Sequence, residues 1–158
     1  MTLATVDAYT ILKFFHVLLA MIWVGGAIML LVLAEFALRS PLPGRVAELA
    51  REAEWVGKHI FTPASVLVLL VGIWLVHDGH WGFGHFWIIA ALAAFVFSVV
   101  LGIGFITPES GRLAKVIEAQ GPDAPPVKTR ISRILMFARI DTAVLLVIVF
   151  LMVAKIGQ

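Results

Sequence analysis

Four stretches of the chain stay apolar long enough to cross a bilayer, and polar residues gather mainly between them. Phe14–Ala34 is a run of 21 residues whose one ionisable member is His16, and Phe86–Thr107 is a run of 22 with none. At about 1.5 Å of rise per residue, roughly 20 helical residues cross a hydrocarbon core of about 30 Å. Ile60–Val76 adds 17 apolar or small residues, and Ile134–Ala154 adds 21 that include Arg139 and Asp141. The pattern predicts an all-α fold: an integral membrane four-helix bundle in a single transmembrane domain over 1–158, with spans at about 11–38, 60–77, 85–107 and 134–155.

Punctuation between the runs refines this. Thr62-Pro63 and Thr107-Pro108 each read as an N-cap residue followed by proline at the first helical position, where the missing N–H costs nothing. Helices are therefore expected to begin or kink there. Val46, Leu49, Ala53 and Val56 are spaced for an apolar stripe, so Arg45–Lys58 is read as a short interfacial helix feeding the second span. A second short helix starts near Glu109 and ends at Gly121-Pro122. No internal repeat or low-complexity tract is evident.

Composition agrees: 61% of residues are hydrophobic and 14% charged, against about 45–50% and about 25% in soluble proteins. The net charge of +2 reads as a topology signal rather than as affinity for nucleic acid. Arg39, Arg45, Arg51 and Lys58 fall in the first connection, and Arg112, Lys115, Lys128, Arg130 and Arg133 in the third, while His77–His85 contains neither Lys nor Arg. By the positive-inside rule the first and third connections, with their short interfacial helices, are cytoplasmic, and the central loop and both termini lie outside. With only Lys13 ahead of a 21-residue run, the first span is read as a retained helix rather than a cleaved signal. The absence of cysteine excludes disulfides, thiolate metal sites and covalent haem attachment.

Candidate chemistry lies with a few polar side chains. His16 shares a helical stripe with Ala20, Trp23 and Ala27, and Gly25 and Gly26 permit close approach of a helix or flat macrocycle. It reads as an axial haem or metal ligand, or as a histidine hydrogen-bonded to a neighbouring helix. His77, Asp78, His80 and His85 crowd the outer loop with Trp81, Phe83 and Trp87; they suit copper or zinc, or equally the ordinary gathering of His and Trp at headgroup level. His16, His77 and His85 share one depth, where one haem b can bridge two helices. His59, beside Lys58 at the opposite end, reads as facing the headgroups. Asp141 shares a stripe with Leu145, Ile148 and Met152 and is expected to face inward with a structural or proton-handling role, paired with a basic group or a helix terminus. Arg139 points to another face, where Glu35 can pair with it. The alanines and Ser98 of the third span read as a packing surface.

The strings KFFHVLLAMIWVGGAIML, TPASVLVLLVGIWLV, the tryptophan-led third span ending ITPESGRL, and RIDTAVLLVIVFLMVAK together resemble the bacterial integral-membrane family of domain of unknown function 2269. A looser similarity, carried by His16, Trp23, Gly25 and Pro63, extends to CopD-type copper-resistance proteins and to the four-helix haem-containing protoporphyrinogen oxidase. The resemblance implies a bundle of membrane helices in a bacterial inner membrane and a haem b on His16. Three functions are thus expected in order: a haem b redox or electron-transfer component using His16 with His85 or His77; a non-catalytic accessory subunit of a larger membrane complex or homo-oligomer; and copper or zinc binding on the outer side. Signatures of nucleic-acid binding are lacking.

Overall fold

Every regular element in the computed structural model, which describes residues 7–42 and 44–156, is helical. The ends of the domain read over 1–158, residues 1–6 and 157–158, lie outside those described. Helix α1 (Ala8–Arg39) starts where the Asp7 carboxylate accepts the Thr10 N–H at 2.9 Å and stops at the extended Ser40 ahead of Pro41. Gly44, left-handed at φ 83°, opens α2 (Arg45–Val56). Then come α3 (Thr62–Asp78), α4 (Phe86–Leu101), α5 (Thr107–Gln120), closed by Gly121 at φ 86°, and α6 (Pro125–Ala154).

The expected helix starts at Thr62 and Thr107 are corrected. A π-helical segment, Gly57–Phe61, joins α2 to α3, and a second, Gly102–Ile106, joins α4 to α5. The chain therefore runs as four continuous helices, Ala8–Arg39, Arg45–Asp78, Phe86–Gln120 and Pro125–Ala154, each long and apolar enough to cross a membrane. Thr62 and Thr107 are helical, and their N–H groups reach back five residues to the carbonyls of Gly57 and Gly102. Proline inside an α-helix clashes with the carbonyl four residues back; the wider turn just before Pro63 and Pro108 accommodates the ring without ending the helix.

Packing pairs α1 with α3, α4 with α6 and α2 with α5. A central cluster of Trp23, Val68, Phe95 and Leu145 ties the spans together, and Ala47, Ala50, Leu113, Ala114, Ile117 and Val127 form a second core between the amphipathic halves and α6. Around them large apolar side chains such as Met21, Val100 and Val153 point outward, as suits a chain whose solvent is lipid. Lys155 Nζ sits 4.3 Å over the Trp81 ring, so the end of α6 lies beside the α3–α4 loop. At the other end Glu109 is buried between the guanidinium groups of Arg130 and Arg112, and Arg51 pairs with Glu118 across α2 and α5.

Candidate functional site

The string G-x-x-x-x-T-P-x-S occurs twice, at 57–65 and 102–110, and each copy carries one π segment. In the first an amphipathic helix precedes it and a span follows; in the second the order is reversed. The sequence reading missed this repeat because the flanking hydropathy is inverted. The two segments touch, with the Thr107 side chain packed directly over Gly57. The reciprocal contact is not made: space beside Gly102 is open within 4 Å.

Between the segments, and bounded by parts of all six helices, lies a cavity of about 150 Å³. Its walls are mainly apolar, with Trp23, Phe61 and Leu113 among them, and its polar lining comes from Ser65, Ser98, Thr107, Ser110, Asp141 and Thr142. Asp141 is 7% exposed, although it lies in the middle of a helix that must cross the bilayer. Its Oδ1 accepts the Ser98 hydroxyl at 2.5 Å, and Ser98 itself is 1% exposed. The expected partner, a basic group or helix terminus, is thus replaced by a hydroxyl from α4. Leu145 and Ile148, on the same stripe, pack into the central cluster, while Met152 stays outside it. Arg139 leaves this face and pairs with Glu35 of α1, both partly exposed.

The histidines do not line this cavity. His16 lies across α3, its ring 3.1 Å from where a Cβ on Gly72 would stand, and its Nδ1 is buried beside the α3 backbone near Val68 without a hydrogen-bond partner. Trp23 is buried in the core, edge-on to Phe95, and Gly25 is exposed with nothing within 4 Å. Close approach occurs one residue later, where Phe61 covers Gly26. His77, Asp78 and His80 are exposed. His85 is half-buried, edge-on to Trp81, and its carbonyl begins α4. Among the described residues no three His, Asp or Glu side chains form a group able to hold a metal ion. His59 stacks on Trp55, with Nδ1 3.0 Å from the Trp55 carbonyl.

Ser98 is the residue the sequence reading assigned to packing alone; its signal was a hydroxyl in an otherwise apolar span, level with the Asp141 turn. No curated protein and no solved structure matches the chain. Residues 10–156 match the family described as predicted integral membrane protein (DUF2269), and the chain belongs to that family.

Proposed function

We propose that this protein is a membrane-embedded binding protein that takes a small, mainly apolar molecule from the bilayer into the cavity between its helices, with Asp141 as the polar anchor. The observation that carries the reading is a nine-tenths buried carboxyl on the wall of that cavity, held by Ser98. Carboxyl groups within spans are costly and mark substrate or ion paths by default. The two π segments that border the cavity belong to a class of helix irregularity concentrated at functional sites. A volume near 150 Å³ is that of a cavity able to hold one benzene-sized body. In this reading the protein sits in a bacterial inner membrane with its basic end, carrying α2 and α5, toward the cytoplasm.

Calorimetric titration of the detergent-solubilised protein with benzyl alcohol tests it. Saturable binding is expected, and Ala138→Leu, which adds bulk to the cavity wall, is expected to abolish it. Absence of saturable binding, or binding indifferent to that substitution, overturns the reading.

A second reading, haem b on His16, is favoured by one observation. A ligating histidine commonly turns its other nitrogen to a backbone carbonyl, and His16 Nδ1 lies against the α3 backbone, leaving Nε2 for iron. The described residues supply one such nitrogen there, not a pair. A reduced-minus-oxidised spectrum with an alpha band that disappears in His16→Ala supports this reading; no band, or one that survives the substitution, ends it.

A further inference from the structure

The hydroxyl groups around the cavity have their protons committed. Ser65 donates to the Thr62 carbonyl at 2.8 Å, Ser110 to the Ile106 carbonyl at 2.8 Å, and Thr142 to the Ala138 carbonyl at 2.8 Å. Ser98 gives its proton to Asp141. What these four oxygens and the Asp141 carboxyl can still offer to the interior is lone pairs. A carboxylate accepts at two oxygens, each with more than one site, and Ser98 occupies one of them. Among the described residues no Lys, Arg or His lines the cavity; the nearest cation along α6, Arg139, is taken by Glu35.

A wall of acceptors around an apolar space, with a carboxyl and no protein counter-charge, is complementary to a donor. The geometry points to a small lipophilic amine, carried as its ammonium ion, as the ligand of this site: one ring or branched aliphatic body for the 150 Å³ space, and one ammonium for Asp141. An ammonium carries three donors and no acceptor, which matches a lining whose own donors are spent. A neutral alcohol brings one donor and no charge, and a carboxylate or phosphate would face repulsion. This inference rests on the binding reading above and adds the charge of the ligand to it.

Benzylammonium and benzyl alcohol are a pair of near-equal shape that separates the two claims. With the purified wild-type protein at neutral pH, benzylammonium is expected to bind at least about tenfold more tightly, since a charge-assisted hydrogen bond contributes more than a neutral one. Asp141→Asn is expected to erase the preference while benzyl alcohol still binds, and Ser98→Ala, which keeps the carboxyl, is expected to retain it. Equal affinity of the two probes in the wild type overturns the inference and leaves the binding reading standing. A preference that survives Asp141→Asn overturns it as well, and failure of both probes to bind overturns both. The wild-type comparison needs no variant, so a poorly folded Asp141→Asn does not leave the inference undecided.

Discussion

Replacing Gly57 with alanine puts a methyl group where the structure has none to spare. The new Cβ would stand 2.3 Å from Thr107 Oγ1 and 2.9 Å from its Cγ2, so the two π segments must separate by roughly 1 Å to restore ordinary contact. Overpacking of this kind costs about 1–3 kcal/mol, or about 2–4 °C in Tm per kcal/mol for a chain of this size. Gly102 occupies the same place in the second copy of the repeat, and a Cβ there meets nothing within 4 Å. Gly102→Ala is therefore expected to be neutral or to stabilise by up to about 1 kcal/mol through helix propensity. Thr107→Ala removes Oγ1 and Cγ2 and leaves its Cβ 3.1 Å from the Gly57 position, so it is expected to rescue most of the loss, with a coupling of about 1–2 kcal/mol. Thermal unfolding in detergent, followed by tryptophan fluorescence, reads all four proteins. Equal loss in Gly57→Ala and Gly102→Ala, or no rescue by Thr107→Ala, refutes the contact as the cause.

Other expectations follow from the charged groups. Glu109→Gln leaves two guanidinium groups around a buried site and is expected to cost about 3 kcal/mol, whereas Arg112→Ala, at the exposed partner, costs under about 1 kcal/mol; comparative Tm values check this. The Asp7 carboxyl is held below its ordinary 3.8, first by the Thr10 side chain and then by the Thr10 N–H. Because its folded value is depressed, the capping contribution is complete above pH 3.8 and is lost as pH falls through the lower folded value. Hydrogen exchange in the first turn of α1 should accelerate on acidification through that range in the wild type and show no such step in Asp7→Ala. The chain has no cysteine, so single probes report orientation: a membrane-impermeant maleimide is expected to label Phe83→Cys in intact cells and Gln120→Cys only after lysis. The opposite labelling reverses the proposed orientation.

Much of the fold is legible in the sequence because a hydrocarbon solvent leaves few choices: a run of about 20 apolar residues must satisfy its backbone internally, and a helix does so. Thr-Pro misled because its grammar as a helix start comes from ends exposed to water. Here each Thr-Pro follows a five-residue segment, opened by Gly57 or Gly102, whose wider turn carries the helix past the proline. The histidines drew attention because they are chemically versatile, but nearness along the chain between His77 and His85 does not make their side chains converge. Asp141 was marked by its helical stripe; its partner was not, because Ser98 sits 43 residues away and looks like any small residue in a packed span.

The wide turns also reset angular phase. Each α-helical residue advances the wheel by about 100°, and a π turn holds one residue more than an α turn. Deleting a single residue between 57 and 61 would return that helix to uniform pitch and swing everything beyond it by about 100°. Ser65 and Val68, inward in the structure, would then face the acyl chains while α2 kept its grip on α5. Insertions and deletions should therefore be far better tolerated in the central loop than within these two five-residue windows.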